Sequence, residues 1–252
     1  MIEIAISIGV IGFALVAIIG ILPRGMNVQQ ENRENTVVSQ DAPYFMNAIR
    51  NGEMRTNGGI LTNYVESITI VSTNSAGATL QTTYNNTALT GVPGNNCLTN
   101  DMAIIGYLST PECDPRSISP YPGMTNNVTA IVRAMSGSAL QQSGANAVMA
   151  FRYQMTVEIA PWNYATPGYA TNVAASASTN YLNYMGYMAA NLYEIRLRFA
   201  WPVLPNGSVG PNRLTYRSLV GSHLLITNVY GNNPNTYWYF FQPQTFLAAT
   251  NS

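Results

Sequence analysis

The chain has 252 residues, of which 47% are hydrophobic and only 9% are charged, and its eleven basic residues balance eleven acidic ones. Every base is an arginine, which excludes Schiff-base and Walker A lysines, and the single histidine excludes sites that need two imidazoles. A formal net charge of zero also removes the electrostatic footprint of a nucleic-acid-binding protein, so we expect no nucleic-acid partner.

The first predicted element is a helix in the uncharged stretch from Ile4 to Leu22. As a helix, this stretch would be roughly 28 Å long, which suits a lipid bilayer. Large apolar side chains would surround the helix, so we expect it to be buried in lipid or in protein. A cleavable secretory signal fits poorly, because no basic region precedes the run and no small-residue cleavage site follows it. A single-pass membrane anchor stays open as an alternative.

A lone acid, Glu3, stands at the edge of this apolar run. An ionised carboxylate in a helix within lipid costs roughly 2.5 to 3.5 kcal/mol, so such a residue is expected to have a partner. No base lies nearby in the sequence, and an ordinary anchor does not explain the acid. We therefore expect the partner of Glu3 to be intermolecular.

The residues from Met1 to Gly12, followed by an aliphatic run and Pro23, resemble the class III signal region of type IV pilins and pseudopilins. The conserved glutamate of that family corresponds to Glu3. The chain departs from the family pattern, because fewer residues precede Glu3 than in mature family members. A second stretch, 192–207, looks like prepilin-like cassette proteins of verrucomicrobial type.

No nucleophile elbow, glycine-rich phosphate loop, paired-carboxylate motif or metal cluster stands out in the sequence, so we expect no enzymatic activity, cofactor or metal. The resemblance implies a structural subunit of a type IV pilus-like extracellular filament. Its implied partners are identical subunits in a helical homopolymer, a prepilin peptidase, the pilus assembly machinery and, before assembly, the inner membrane. It implies an α+β fold class, with a long N-terminal hydrophobic helix and an antiparallel β-sheet head. Two alternatives stay open: a minor pilin or type II secretion pseudopilin, and a membrane-anchored periplasmic binding module.

Assembly of such helices needs a specific contact, because lipid is as apolar as a helix bundle. Glu3 can pair with the α-amino group of a neighbouring copy, and a head-to-tail contact that does not close produces an open helical polymer. The residues that we expect to act in assembly are Glu3, Gly9, Gly12, Phe13, Gly20 and Pro23.

The glycines and the proline of this segment are expected to weaken the helix. Each glycine costs about 1 kcal/mol relative to alanine, and Pro23 removes a backbone donor. We therefore predict a bend or an unwound stretch between Gly12 and Pro23 in the assembled state. The alternative that the glycines only pack against other transmembrane helices stays open.

The residues from Arg24 to Arg55 hold eight of the 22 charges and continue as a polar stalk helix. Asp41, Ala42 and Pro43 predict a helix cap followed by a second short helix, which ends at Asn51 and Gly52. The predicted domains are therefore the assembly and stalk helices at 1–55 and a β-rich head at 56–252.

Alternating apolar and polar residues predict two half-buried strands in the head, at 149–159 and 193–201. Further strands at 213–220, 222–230 and 237–241 would complete an antiparallel meander. Weaker patterns predict strands at 64–71 and 102–108 and a helix at 125–140. The stretch 161–191 is predicted to be a long surface excursion and is a candidate for contacts with adjacent subunits or with the outside. The alternative that its tyrosines only pack on the sheet beneath stays open.

Cys97 and Cys113 are the only cysteines and lie among turn residues. Two cysteines and one histidine make poor zinc ligands, whereas a disulfide closing this loop would contribute about 3 kcal/mol in an oxidising space. We therefore predict a disulfide between them. The single histidine, His223, has the pattern of an ordinary strand residue.

Three Asn-x-Ser/Thr sequences make Asn85, Asn127 and Asn206 candidate glycosylation sites.

Overall fold

The computed structural model describes residues 2–52, 60–74, 76–91, 97–113, 125–135, 151–162, 184, 187–228 and 237–247, without the side chains of residues 17–25 and 27. The chain divides into two compact units, Met1–Gln40 and Asp41–Ser252. The predicted domain boundary lies later, after residue 55, and stays a prediction. In this division the last turns of the N-terminal helix belong to the second unit.

The N-terminal helix α1 runs without interruption from Ile2 to Asn51. The cap and the second helix predicted at Asp41–Pro43 are therefore absent, because α1 continues through Pro43. Proline removes one helical hydrogen bond, but the neighbouring Phe45 and Ile49 are completely buried in the second unit, which favours the continuous helix.

The helix ends where the sequence predicted, at Asn51 and Gly52. Gly52 has a φ of 52° and its N–H donates to the carbonyl of Ile49 at 3.2 Å. Glycine adopts this left-handed conformation without a steric penalty. A side chain at this position would also collide with the main chain of Phe241, so both the backbone and the packing require glycine here.

Seven strands form one antiparallel sheet in the order β2-β1-β3-β4-β5-β6-β7. The strands are β1 Val65–Thr73, β2 Thr79–Asn85, β3 Thr125–Arg133, β4 Arg152–Pro161, β5 Leu192–Val203, β6 Val209–Asn228 and β7 Tyr237–Pro243. A 3-10 turn at Leu61–Asn63 and two short helices, α2 Thr87–Thr90 and α3 Asp101–Leu108, connect them.

The predicted fold class, an α+β fold with a long hydrophobic pilin-like helix and a β-sheet head, is wrong. The main feature of the described structure is the seven-stranded antiparallel sheet, and the helices α2 and α3 have only four and eight residues. Within the described part of the chain, no helix combines the length and the apolar character needed to cross a membrane. The exposed apolar side chains that the structure describes at the start of α1 run from Ile2 to Val16, and polar residues predominate between Gln29 and Gln40.

The two strands with the clearest alternation are confirmed as β4 and β5. Their inward side chains are buried, among them Tyr153, Phe199 and Trp201, and alternate with partly exposed polar residues. The strands pair antiparallel, with Met155 opposite Phe199 and Val157 opposite Leu197. The meander predicted for this part of the chain agrees with the pairing of β4, β5 and β6.

Two of the weaker predictions assigned the wrong type of secondary structure. The predicted strand at 102–108 is helix α3, because the side chain of Asn100 accepts a hydrogen bond from the N–H of Ala103 at 2.7 Å and caps it. The predicted helix at 125–140 is strand β3 over its described part. Val128, Ala130 and Val132 of β3 are all buried on one face of the sheet, which is a period of two.

Strand β6 is one 20-residue strand, although the sequence predicted two strands divided near Gly221. Its first part pairs with β5 as far as Gly221, and its second part pairs with β7 from Ser222 onward. The chain changes its pairing partner at this point without turning. Most of the predicted excursion at 161–191, from 163 to 183, lies outside the described residues.

Candidate functional site

The first turns of α1 expose an unusual amount of apolar surface. Nine large apolar side chains between Ile2 and Val16 each keep 53% to 79% of their surface exposed. They are Ile2, Ile4, Ile6, Ile8, Val10, Ile11, Phe13, Leu15 and Val16. Exposed apolar patches of this kind mark surfaces that contact another protein or a membrane. We refer to Ile2–Val16 as the apolar segment.

Glu3 lies in the first turn of α1, inside the apolar segment. Its backbone carbonyl accepts a hydrogen bond from the hydroxyl of Ser7 at 2.9 Å. The ion pairs among the described residues all lie in the second unit, so none of them involves the Glu3 carboxylate.

The structure places Gly9 and Gly12 in open surroundings. A Cβ atom added at either position would meet no heavy atom within 4 Å. The described residues of the chain therefore do not themselves require glycine there. Phe13 is 79% exposed on the same segment. For Gly20 and Pro23 the structure gives only the helical backbone, so their predicted role stays a prediction.

A second candidate surface lies on the face of the sheet opposite the buried core. Six of the eleven arginines of the chain stand on strands β3 to β6 of this face, which we call the arginine face. They are Arg133, Arg152, Arg196, Arg198, Arg213 and Arg217. Three glutamates accompany them, namely Glu66, Glu158 and Glu194. The local balance is thus positive, although the whole chain is neutral.

One edge of the arginine face is closed by a buried carboxylate. Glu66 is 6% exposed and accepts from Nε of Arg133 at 2.5 Å and from Nη1 of Arg152 at 3.3 Å. Arg133 also donates to the carbonyl of Leu89 at 3.0 Å. These arginines are therefore engaged in holding β1, β3 and β4 together.

The centre of the face is a network of shared carboxylates. Arg196 donates to Glu158 at 2.9 Å and to Glu194 at 3.2 Å, and Glu158 also accepts from Arg198. Burial alone would lower the pKa of Arg196, but the hydrogen bonds and charges of both glutamates raise it above its ordinary value. The glutamates offset the repulsion between Arg196 and Arg217, which stand directly opposite each other on β5 and β6.

The other end of the face forms a concave pocket of about 800 Å³. Its polar lining comes from Gln154, Thr156, Arg198, Arg213, Thr215 and Arg217. Among the described residues, Arg213 has no carboxylate partner; its guanidinium donates only to the carbonyls of Gly210 and Asn212. In the described part of the chain, the acid paired with Arg217 is Glu194, at 4.0 Å.

The structure separates the two cysteines. Cys97 forms an isolated β-bridge with Asn85, and Asn85 lies opposite Ser67 of β1. Cys113 forms an isolated β-bridge with Thr125, and Thr125 lies opposite Thr73 at the other end of β1. From Ser67 to Thr73 the strand extends roughly 20 Å, and a disulfide needs Cα atoms within about 7 Å. The predicted disulfide between Cys97 and Cys113 is therefore not formed in this structure.

The three candidate glycosylation sites differ in their surroundings. Asn206 is exposed in the turn between β5 and β6, where its side chain accepts from the N–H of Ser208 at 3.0 Å. Asn127 is exposed on β3, and Asn85 is half-buried at the end of β2. Glycosylation of all three stays a prediction.

His223 lies on β6 opposite Gln242, and its Nδ1 atom is buried without a hydrogen-bond partner among the described residues.

Asp41 is a buried acid that accepts from the hydroxyl of Tyr153 at 3.0 Å and from the N–H of Met135 at 2.9 Å. Burial, together with the charge of Asp41, raises the pKa of Tyr153 well above its usual range. Among the described residues, no three His, Cys, Asp or Glu side chains are grouped to hold a metal.

The arginine face was not predicted, although the sequence carries a signal for it. Arg196 and Arg198 on β5 alternate with buried residues, and Arg213 and Arg217 on β6 alternate with half-buried residues. Their shared face follows only from the pairing of β5 with β6, which brings Arg198 opposite Thr215. Comparisons of the chain with models of protein families, with curated proteins and with solved structures gave no match.

Proposed function

We propose that this chain is the structural subunit of an extracellular filament of the type IV pilus kind, polymerised through the apolar segment of α1. The observation that supports the proposal is the exposure of nine large apolar side chains in that segment. Water must be removed from them by a membrane or by other copies of the chain.

The magnitudes favour assembly over a free subunit. Burying nine such side chains contributes a gross free energy of roughly 14 to 27 kcal/mol, at about 1.5 to 3 kcal/mol each. One buried carboxylate costs a few kcal/mol in comparison, and pairing with the amino end of a neighbouring copy offsets that cost. In this proposal Glu3 sets the register between subunits, while the apolar side chains supply most of the driving force.

The proposal is tested by replacing Glu3 in cells that produce the protein. For Glu3→Ala we expect the amount of filament on the cell surface, counted by electron microscopy, to fall at least tenfold, an estimate from the cost of an unpaired assembly contact. Glu31→Ala, which removes an exposed acid from the same helix, is the matched control and should leave the filaments unchanged.

The cellular amount of the variant subunit must be measured alongside. Abundant filaments of Glu3→Ala subunits would contradict the role of Glu3. Native filaments that contain no copies of this chain would overturn the proposed function itself. A chain present only in trace amounts at the filament tip would favour the alternative, a minor pilin or pseudopilin.

The remaining expectations stay predictions attached to this proposal. They are processing by a prepilin peptidase, delivery by a pilus assembly machinery and residence in the inner membrane before assembly. A second candidate function, a binding module, is favoured by the pocket of the arginine face, where Arg213 lacks a carboxylate partner among the described residues. The two functions are compatible, because the pocket and the apolar segment belong to different units.

A further inference from the structure

The register of β5 and β6 places three arginines around one threonine. Arg198 lies directly opposite Thr215, and Arg213 and Arg217 lie two residues before and after Thr215 on the same face of β6. Diagonal neighbours of this kind are about 7 to 8 Å apart at their Cα atoms. An arginine side chain can span that distance, so the three guanidinium groups can reach a common point above Thr215. We call Arg198, Arg213 and Arg217 the arginine triangle.

The charges of the triangle are only partly compensated. Glu158 accepts from Arg198 at 3.1 Å, but it also forms an ion pair with Arg196. Glu194 lies 4.0 Å from Arg217. Arg213 is bound only to main-chain carbonyls within the described residues. Guanidinium groups bind carboxylates, sulfates and phosphates in a bidentate manner, and an oxyanion is therefore the group that would complete this arrangement.

The uncharged polar side chains and the volume of the pocket indicate what kind of ligand could carry the oxyanion. Gln154, Thr156 and Thr215 offer an amide and two hydroxyls, which suit a ligand that carries hydroxyl groups of its own. A volume of about 800 Å³ exceeds what a bare oxyanion occupies and lies in the range of small-molecule sites. A nucleic acid is a poorer fit, because several of the arginines of this face are already paired with glutamates.

We propose that the arginine triangle binds the carboxylate of a small acidic sugar, whose hydroxyl groups contact Gln154, Thr156 and Thr215. The site lies entirely in the second unit, and the inference does not depend on filament assembly. Arg213 contributes a guanidinium that has no carboxylate partner among the described residues, and Arg198 and Arg217 complete the contact.

The test is calorimetric titration of the full chain, in mild detergent at low salt, with glucuronate as the probe. Acetate provides a carboxylate without the hydroxylated body, and glucose provides the body without the carboxylate. We expect glucuronate to bind at least tenfold more tightly than either control, because both a charged contact and several neutral hydrogen bonds contribute. Equal binding of glucuronate and acetate, or of glucuronate and glucose, would overturn the assignment, as would no binding of glucuronate.

Two variants locate the binding. Arg213→Gln is expected to weaken glucuronate binding roughly tenfold or more, because one charge-assisted contact is lost. Arg50→Gln, which removes an exposed arginine of α1 outside the pocket, should leave the affinity unchanged. Circular dichroism of each variant checks that the sheet is intact. If both variants lose binding equally, a general charge effect accounts for it and the proposed site is wrong.

Discussion

At the scale of single residues, burial changes the pKa of a tyrosine in the core of the sheet. Tyr193 on β5 is 3% exposed and its ring packs edge-on against Phe241, with ring centres 5.4 Å apart. Burial raises the pKa of Tyr193 to about 12, because a phenolate would be desolvated at this position. The folded chain therefore holds the tyrosine proton more tightly than the unfolded chain does.

This shift predicts how stability depends on alkaline pH. The contribution of Tyr193 is complete below pH 10, the pKa of an unperturbed tyrosine, and is lost as the pH rises toward 12. We expect a loss of about 2 to 3 kcal/mol over this range, measured by urea unfolding of the full chain in detergent. Tyr193→Phe should remove this part of the pH dependence. Tyr184→Phe, at an exposed tyrosine, serves as the control, and an unaltered pH dependence in Tyr193→Phe would contradict the assignment.

At the scale of elements, the sequence predicted what depends on local periodicity. Strands β4 and β5 were predictable because their alternation continues over many residues with large buried side chains. Helix α3 was not, because seven of its eight residues are buried and a short apolar run has no period that separates helix from strand. The pairing of Glu66 with Arg133 was also unpredictable, since 67 residues separate them in the chain.

The end of α1 provides a prediction at this scale. Gly52 and Gly77 both have positive φ angles, but only Gly52 has the main chain of Phe241 where a Cβ atom would lie. Gly77→Ala should therefore cost about 1 to 2 kcal/mol of stability, from the left-handed backbone alone. Gly52→Ala should cost more than this, because the collision is added. Equal losses in denaturant unfolding would show that α1 ends without a tight contact to β7.

At the scale of the whole molecule, the two units differ in how far their apolar side chains are removed from water. The second unit buries its own core, with residues such as Trp201 and Phe240 removed from water. The apolar segment has no comparable cover among the described residues of the first unit. The helical backbone of this segment could be predicted from its composition alone, whereas the arginine face depends on long-range pairing and could not be predicted in the same way.

If the chain assembles as proposed, this difference predicts the behaviour of isolated filaments in detergent. We expect a mild detergent to dissociate them into single subunits with unchanged circular dichroism, because micelles cover the apolar segment while the sheet stays buried. Analytical ultracentrifugation measures the dissociation. Filaments that resist detergent but fall apart in concentrated salt would contradict the prediction, since charged contacts between the second units would then hold the polymer.

The undivided length of β6 limits where the chain tolerates insertions and deletions. Its two halves pair with different neighbours, so a single residue added near Gly221 would preserve the register on one side only. Every side chain of the displaced half would then change faces, bringing Leu224 out to water and His223 inward. Evolution of loop length, and the placement of epitope tags, are therefore confined to connections such as the exposed turn around Asn206, which joins β5 to β6 without carrying a second pairing.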